Sequence, residues 1–391
     1  MSSNRRGKWP KAHNRADGNG PVQNAGDGSG GLVYGALDLG TNNCRLLLAK
    51  PSLSGFTVVD AFSRIVRLGE GASLTGRLSD RAMARTIEAL RVCANKLIWR
   101  KVTRRRLIAT EACRIAENGA EFIARVHAET GLELEIIDRE TEARLAVAGA
   151  EPLIDEAADK ILIFDIGGGS TELMWLERSG GKHVIGEWVS LPAGVVTVAE
   201  KFGGIDVTAE TYAAMRRHMF DLLAPFVARV AARSSGSVAP DHLLGTSGTV
   251  TTIAGVQLRL RRYDRSKVDG SWLSSADIDE VAARLLAMSY EERAANACIG
   301  RDRADLVLGG CAILDEIRKA FPAARLRVAD RGLREGILSH LMREDGTYGV
   351  SDDTAGRACG SVLAESCGLK SERPGSGESN QAALPEGRRW C

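Results

Sequence analysis

Short hydrophobic runs and longer amphipathic segments alternate along the middle of the chain. Three strand-like runs come first, and a helical pattern that Ser79 can cap follows them. Strands and helices then alternate, with Asn118 and Glu121 resembling a capping box for a helix that ends at Gly131. The strand-like runs are 32–39, 45–49, 56–62, 107–110 and 132–137, and a further helix begins near Arg139. A three-stranded meander followed by strand–helix alternation predicts a mixed α/β sheet.

The same order of elements recurs in the second half of the chain. Its strand-like runs are 161–165, 172–176, 184–190 and 242–245, with helices around 208–232 and after the turn that follows Gly245. When the two halves are laid together, YGALDLGTNNCRLLL pairs with ILIFDIGGGSTELMW, and Asp38 falls on Asp165. A repeat of this length indicates a duplicated domain rather than a solenoid.

Two domains of the α/β class are therefore predicted, each a mixed β-sheet flanked by helices. The first domain covers residues 32–145 and the second covers residues 146–343. The segments outside them are polar, rich in small residues and without clear periodicity. Residues 1–31 and 344–391 are accordingly expected to be disordered tails.

Composition narrows the class of protein without choosing a function. The chain has 391 residues, of which 44% are hydrophobic and 26% charged, and this mix excludes collagen, coiled coil and wholesale disorder. The N-terminus lacks the apolar core of a signal peptide, and no run approaches a membrane span, so a cytoplasmic protein is expected. The eight cysteines form no C-x-x-C pair and the six histidines are scattered singly. We therefore expect buried thiols and no zinc site.

Glycine-rich turns carry the clearest chemical signal. Each copy of the repeat places an aspartate at the end of a buried strand and a glycine-containing turn directly after it. Such a turn aims successive backbone amides at an anion, and the aspartate can hold a hydrated divalent cation. A third turn, in LGTSGTVTT, leads into a helix N-terminus, which also favours an anion. The turn residues are Gly40, Thr41 and Asn42; Gly167, Gly168, Gly169, Ser170 and Thr171; and Gly248 with Thr249.

A single turn of this kind is more simply a tight β-turn, but three of them, two in duplicated context, predict a phosphate site. None of them is a Walker A motif or a dinucleotide-binding motif. The paired Asp-x-Gly hairpins resemble the actin-like ATPase superfamily. Within it, the chain resembles the exopolyphosphatase/guanosine pentaphosphate phosphatase (Ppx/GppA) family through ALDLGTNNCRLLL, ATEACRIAEN, TEARLA, FDIGGGSTEL, SLPAG, GTSGTVTT, RADLVLGG and VADRGLREGIL. These segments span residues 35–337 in the family's order.

The resemblance implies two ribonuclease-H-like (actin-like) domains with the active site in the cleft between them. It implies that Glu142 is the catalytic glutamate, which orients and deprotonates the attacking water. It also implies Mg²⁺ or Mn²⁺ near Asp165 and Glu172, with Asp38 facing them, and a phosphate-binding role for Arg114. Without the resemblance, Glu142 would be read as a solvated surface charge and Arg114 as an ion-pair partner. The chain departs from the family at Asp138-Arg139-Glu140-Thr141, where members usually have Ser-Gly-x-Glu, and this puts the backbone before Glu142 in doubt.

The expected activity is Mg²⁺-dependent removal of terminal phosphate from inorganic polyphosphate. The alternatives are hydrolysis of guanosine pentaphosphate, an actin-like sugar kinase or chaperone ATPase, and a non-catalytic polyphosphate or alarmone sensor. A homodimer is expected, with no nucleic-acid or membrane partner. Arg331, Arg334 and Glu335 are expected to form a salt-bridge network between the domains. Two basic clusters could steer a polyanion or simply face solvent: Arg100, Lys101, Arg104, Arg105 and Arg106; and Arg259, Arg261, Arg262, Arg265 and Lys267.

Overall fold

The computed structural model describes residues 31–349 of the chain. The disordered tails predicted for residues 1–31 and 344–391 therefore lie mostly outside the described residues. The first half contains strands β1 (Tyr34–Leu39), β2 (Asn43–Ser52), β3 (Gly55–Ile65), β4 (Arg104–Ala109) and β5 (Glu135–Ile136), with helices α1 (Ala72–Thr75), α2 (Asp80–Trp99), α3 (Glu111–Ile115), α4 (Gly119–Thr130) and α5 (Arg139–Ala150).

The second half repeats this plan with additional helices. Its strands are β6 (Lys160–Ile166), β7 (Thr171–Ser179), β8 (Lys182–Leu191), β9 (His242–Thr246), β10 (Trp272–Ser274) and β11 (Arg325–Ala329). Its helices are α6 (Val195–Phe202), α7 (Ala209–Arg233), α8 (Gly248–Gln257), α9 (Arg265–Val268), α10 (Ser275–Ala287), α11 (Tyr290–Ala295), α12 (Val307–Ala320) and α13 (Leu333–Glu344).

Five strands of each sheet share the same topology, and the second sheet adds β10 at one edge. Their orders are β3-β2-β1-β4-β5 and β10-β11-β9-β6-β7-β8. In each sheet two antiparallel hairpins come first, and the opening strand then pairs in parallel with a later one, β1 with β4 and β6 with β9. The predicted duplication and the mixed α/β class are therefore confirmed. We call the first sheet with its helices the first lobe, and the second sheet with its helices the second lobe.

Both faces of the first sheet are buried, which explains why β1 reads as one continuous apolar run. Leu37 and Leu39 point to the face covered by α2 and α4. Tyr34 and Ala36, at alternate positions, join a separate cluster on the other face. Ser79 caps α2 as predicted, since its side-chain oxygen accepts a hydrogen bond from the Ala82 amide at 3.3 Å.

Helix α13 belongs to the first lobe, although the sequence boundaries placed it in the second domain. Its residues Ile337 and Leu338 pack with Tyr34 and Ala36 on the open face of the first sheet. The chain beyond residue 343, expected to be disordered, stays packed as far as it is described: Thr347 is fully buried, and the Tyr34 hydroxyl donates to Asp345 at 2.9 Å. The apolar face of the first sheet is covered by α13. The helix therefore belongs with the first domain, although the predicted second domain of residues 146–343 includes it.

Helices α5 and α13 cross at two glycines. A Cβ atom on Gly149 would lie 1.8 Å from the Gly332 carbonyl oxygen, and one on Gly336 would lie 1.9 Å from the Leu145 carbonyl oxygen. The two backbones are therefore in direct contact, and any larger residue at either crossing point must push the helices apart.

Two local expectations were wrong. The Asn118 side chain does not cap α4; it bridges to the backbone of Leu78, accepting from the amide at 2.8 Å and donating to the carbonyl at 2.9 Å. The strand expected over 132–137 is reduced to Glu135 and Ile136. The five cysteines within residues 31–349 are free and buried, as expected. Across the same residues, the helices are all too short or too polar to cross a membrane.

Candidate active site

A cavity of about 560 Å³ lies between the lobes. Most of the predicted site residues line it: Asp38, Gly40, Thr41, Asn42, Glu142, Asp165, Gly167, Gly168, Gly169, Ser170, Glu172, Gly248 and Thr249. Arg114 and Thr171 do not line it. The Thr171 side chain is fully buried and donates its hydroxyl to the Ala193 carbonyl at 2.6 Å. That hydroxyl is therefore engaged by the protein backbone, while the phosphate contact expected of Thr171 stays a prediction.

The two repeated turns have the same backbone closure. In the first turn the Gly40 amide donates to the Asn43 carbonyl at 2.9 Å, and in the second the Gly167 amide donates to the Ser170 carbonyl at the same distance. Within residues 31–349, the amides of Gly168 and Gly169 take part in no hydrogen bond. The second turn therefore keeps two consecutive donors free, which is the arrangement that binds an anion.

The two turns face each other across the cleft at close range. A Cβ atom on Gly168 would lie 3.2 Å from the Asn42 amide nitrogen, and one on Gly169 would lie 2.8 Å from Thr41 Oγ1. Only glycine permits this approach without displacing the opposite lobe. The predicted pair of opposed turns is thus present in the structure.

The third turn lies at the start of α8. Ser247 is the N-cap, with a backbone φ of 150°, and its side-chain oxygen accepts from the Val250 amide at 3.2 Å. A non-glycine residue rarely adopts this conformation, and such strain clusters at functional sites. Gly248 and Thr249 follow it on the cavity wall.

Two carboxylates lie side by side on the second sheet. Asp165 on β6 is the direct cross-strand partner of Glu172 on β7. Burial raises the pKa of Asp165 to about 7, and it raises the pKa of Glu172, with repulsion from Asp165 adding to the effect. Burial also raises the pKa of Asp38 across the cleft. A bound cation would favour the charged forms of these carboxyl groups and so bring their pKa values back down.

Glu142 projects from the first turn of α5 into this group. Its side chain is 14% exposed and pairs with Arg114, Oε2 to Nη2, at 2.9 Å. Burial raises the pKa of Glu142, and the nearby Glu172 raises it further, while Arg114 opposes the shift. A carboxylate with such a raised pKa accepts a proton near neutral pH, as a general base must.

Arg114 is fully occupied by the protein. It donates to Glu111 at 2.7 Å and 3.0 Å, to Glu142, and to the Ile137 carbonyl. Glu111 is buried and also pairs with Arg139 at 2.6 Å. Although burial alone would raise the pKa of Glu111, hydrogen bonds from Arg139 and Arg114 lower it. In this arrangement Arg114 holds the Glu142 carboxylate in place, while the phosphate contact expected of it stays a prediction.

The segment that departs from the family pattern forms a well-made helix start. Asp138 is the N-cap of α5 and accepts from the Thr141 amide at 2.7 Å. Arg139 anchors the same turn to Glu111. The backbone before Glu142 is therefore capped by Asp138 and held by Arg139, even though the family's glycine is absent from this segment.

Sequence reasoning missed Arg45 and Arg303 on the cavity wall, and it named Arg334, which also lies on that wall, only as part of a salt-bridge network. Among residues 31–349, Arg45 and Arg303 have no ion pair, and Arg334 reaches Glu335 only at 4.0 Å. Burial lowers the pKa of Arg303 and of Arg334, and repulsion from Arg45 acts in the same direction. The internal repeat could have identified Arg45. Arg45 lies opposite Asp38 at the position equivalent to Glu172, which lies opposite Asp165.

The fit of a divalent cation can be judged from the donors present. Among the described residues, no three acidic, histidine or cysteine side chains come together as a ready ligand set. Asp38, Asp165 and Glu172 are therefore not a closed chelate. Mg²⁺ usually keeps several waters and binds one or two carboxylates plus substrate phosphates, which the Asp165–Glu172 pair suits. The Oδ1 atoms of Asn42 and Asn43 are also buried without a hydrogen-bond partner in the described part of the chain.

The other charged groups differ in role. In the first basic cluster, Arg100 pairs with Asp60, Arg104 with Glu344 and Asp345, and Arg106 with Glu135, and none of its members lines the cavity. The salt-bridge network expected of Arg331, Arg334 and Glu335 forms only in part within residues 31–349. Glu335 on α13 pairs with Arg265 of the second lobe at 2.9 Å, whereas Arg331 pairs with Asp269 inside the second lobe and Arg334 reaches Glu335 only at 4.0 Å.

The lobes are also joined by an ion pair beside the cleft. Arg67, in the segment after β3, donates through both terminal nitrogens to Asp305, just before α12, at 3.0 Å and 2.9 Å. Glu200 on α6 accepts from the Gly71 amide at 2.7 Å. These contacts connect the segment before α2 to the second lobe.

The chain is similar in sequence and in fold to a known family of phosphatases. The model of the Ppx/GppA phosphatase family matches residues 48–345. Exopolyphosphatase 2 of Mycobacterium tuberculosis is 31% identical over 320 residues, which cover 78% of this chain and 97% of the relative. The crystal structure of the Aquifex aeolicus Ppx/GppA family member is 30% identical, with a TM-score of 0.65, over 80% of this chain and 99% of that one. An exopolyphosphatase from Cytophaga hutchinsonii has the same fold, with a TM-score of 0.73 at 24% identity over 82% of this chain and 100% of that one.

Proposed function

Because the chain belongs to the Ppx/GppA phosphatase family, a group of phosphoanhydride hydrolases with the actin-like fold, we propose that it is a Mg²⁺-dependent exopolyphosphatase. In this reaction water attacks the terminal phosphorus of inorganic polyphosphate, the bridging P–O bond breaks, and orthophosphate leaves. The Mycobacterium tuberculosis relative carries the name exopolyphosphatase, which supports polyphosphate as the substrate class.

The placement of Glu142 is the observation that carries the proposal. Its carboxylate lines the cavity that the two opposed turns close, and Arg114 holds it from behind. A base fixed beside the phosphate cradle can orient a water and take its proton as the water attacks. The raised pKa of Glu142 makes its carboxylate a stronger base than an exposed glutamate.

Charge neutralisation falls to several groups around the terminal phosphate. The amides of Gly168 and Gly169 supply fixed dipoles in a half-buried site, where they act more strongly than in water. Bound Mg²⁺, held by Asp165 and Glu172, would neutralise phosphate oxygens. Arg45, Arg303 and Arg334 remain available for the following phosphates of the chain, since arginine matches phosphate oxygens in two-pronged contacts.

Phosphate release tests the proposal directly. The purified chain is incubated with long-chain polyphosphate, tripolyphosphate and guanosine pentaphosphate, each with and without Mg²⁺. We expect Mg²⁺-dependent release from polyphosphate. Phosphate release from guanosine pentaphosphate alone would identify that nucleotide as the substrate instead of polyphosphate. Hydrolysis of ATP alone would overturn the proposal.

A matched pair of variants separates catalysis from folding. Glu142→Gln keeps the size of the side chain and removes the base, so we expect kcat to fall by about 10²–10⁴-fold. Glu140→Gln lies on the same helix turn, 52% exposed and paired with Arg144, and should retain full activity. Undiminished hydrolysis by Glu142→Gln would contradict the role of Glu142. Tight polyphosphate binding by the unmodified chain with no phosphate release would instead indicate a sensor.

A further inference from the structure

A short basic loop borders the cavity between α8 and α9. Residues 258–264 connect the two helices, and both ends of the loop are attached to cavity-lining residues. At one end, Cys298 Sγ donates to the Leu260 carbonyl at 3.6 Å; at the other, the Tyr263 hydroxyl donates to Asp330 at 2.7 Å. Cys298, Tyr263 and Asp330 all line the cavity. The loop is thus fixed at the rim of the proposed active site.

Three arginines on this loop face solvent. Arg261 and Arg262 lie between the two anchor points, and Arg259 lies just before them; all three are exposed. Within residues 31–349 none of the three forms an ion pair or a side-chain hydrogen bond. The first basic cluster is different, because its Arg100, Arg104 and Arg106 are all paired with acids. Unpaired guanidinium groups at a fixed rim are free to meet an anion from solution.

The acidic groups close to the loop have other partners and do not neutralise the positive charge of its three arginines. Asp330 is engaged by Tyr263, and Glu335 is engaged by Arg265 and by the Gly332 amide. Asp264 accepts from Ser266 and, at 4.0 Å, contacts Lys267. The rim therefore presents an uncompensated positive charge next to a cavity whose wall holds three further arginines without a close acidic partner among the described residues, Arg45, Arg303 and Arg334.

We propose that Arg259, Arg261 and Arg262 form an outer binding track for the part of a polyphosphate chain that extends beyond the cavity. This inference rests on the proposed function and adds a chain-length preference to it. A cavity of about 560 Å³ cannot enclose a long polyphosphate chain, so the remainder of the chain must extend past the rim. Each phosphate outside the cavity carries negative charge, and the exposed arginines of the loop can bind it. A substrate of three phosphates fills far less of the cavity than a long chain does, so we expect it to depend little on the track.

The test compares two substrates with one triple variant. Arg259→Gln/Arg261→Gln/Arg262→Gln should lower kcat/KM on long-chain polyphosphate by about tenfold, because three individually weak, exposed charge contacts are lost together. On tripolyphosphate, kcat/KM should change by less than about twofold. The salt dependence of kcat/KM on the long chain should also become shallower, since fewer phosphate contacts remain to be screened.

A matched control removes three other exposed charges. Arg81→Gln/Lys182→Gln/Arg217→Gln alters residues that are exposed, unpaired within the described chain and absent from the cavity wall. It should leave both substrates unaffected. Equal loss on both substrates, or no loss on the long chain, would overturn the outer track while tripolyphosphate hydrolysis still supports the proposed function. Failure of the unmodified chain to hydrolyse either substrate would instead reject the proposed function itself.

Discussion

Arg45 and Glu172 occupy equivalent positions in the two halves of the molecule and carry opposite charges. Arg45 lies across the hairpin from Asp38, and Glu172 lies across the hairpin from Asp165. The first hairpin therefore places a positive charge opposite its aspartate, although the two side chains form no ion pair within residues 31–349, whereas the second places two carboxylates directly opposite each other. Like charges in this position are destabilising unless a cation lies between them. The duplicated fold has thus given its halves different electrostatic roles.

This asymmetry predicts that the divalent cation depends on the second lobe. Glu172→Gln should raise the Mg²⁺ concentration for half-maximal activity by about tenfold or more, because removal of one carboxylate weakens a site that has few others. Asp38→Asn, which alters the carboxylate opposite Arg45, should change the Mg²⁺ concentration for half-maximal activity by less than about threefold. Mg²⁺ titration of phosphate release measures both variants, and an equal shift would place the cation between the lobes.

The raised pKa values predict that cation binding releases protons. Burial raises the pKa of Asp165 to about 7, so that carboxyl is partly protonated at neutral pH in the absence of metal. A cation favours the charged form, and the proton must leave when it binds. The affinity for Mg²⁺ should therefore rise as the pH increases from about 6 to 8. Calorimetric titration in two buffers of different ionisation enthalpy detects the released protons, and identical heats would contradict this prediction.

The glycine crossing of α5 and α13 predicts a stability defect. Gly336→Ala should lower the free energy of unfolding by about 2 kcal/mol, because the added methyl group meets the Leu145 carbonyl oxygen at 1.9 Å. Gly309→Ala on α12 is the control, since its nearest neighbour is a valine methyl group at 3.3 Å. That variant should be close to neutral or slightly stabilising. Urea unfolding measures both, and equal midpoints for the two variants would argue against a tight crossing.

The ion pair between the lobes predicts a measurable coupling. A double-mutant cycle on Arg67→Ala and Asp305→Ala should give an interaction free energy of about 1 kcal/mol, because the contact is bidentate and partly shielded from solvent. The exposed Arg144–Glu140 pair within α5 should give about 0.3–0.5 kcal/mol. A coupling of zero for Arg67 and Asp305 would mean that the pair does not help to hold the lobes together.

The sequence was sufficient where local rules decide the outcome. Asp38 and Asp165 could be placed at the ends of buried strands because the apolar runs and the turns after them are contiguous in the chain. The cap at Ser79 follows from the same short-range logic. Glu142 was different: nothing in its own helix marks it, and only the resemblance to a family singled it out.

Long-range packing decided what the sequence could not show. The Arg114 side chain is engaged by Glu111 and Glu142, which lie on two separate helices, so its occupancy depends on how those helices meet. Thr171 reads as part of a phosphate turn but hydrogen-bonds to the chain after β8. Helix α13 could not be assigned to the first lobe, because its partners are about 300 residues earlier in the chain.

That return of α13 has a consequence for the order in which the protein is made. Tyr34, near the beginning of the first sheet, is covered by residues that follow it by 311 positions. During synthesis, the ribosome completes the whole second lobe before the last helix of the first one emerges. Until then Ala36, Leu47 and Ile108 stay without their cover, and the nascent chain carries an apolar sheet surface open to misassociation. The lobe whose synthesis begins first therefore receives its last structural element only after the second lobe has been synthesised.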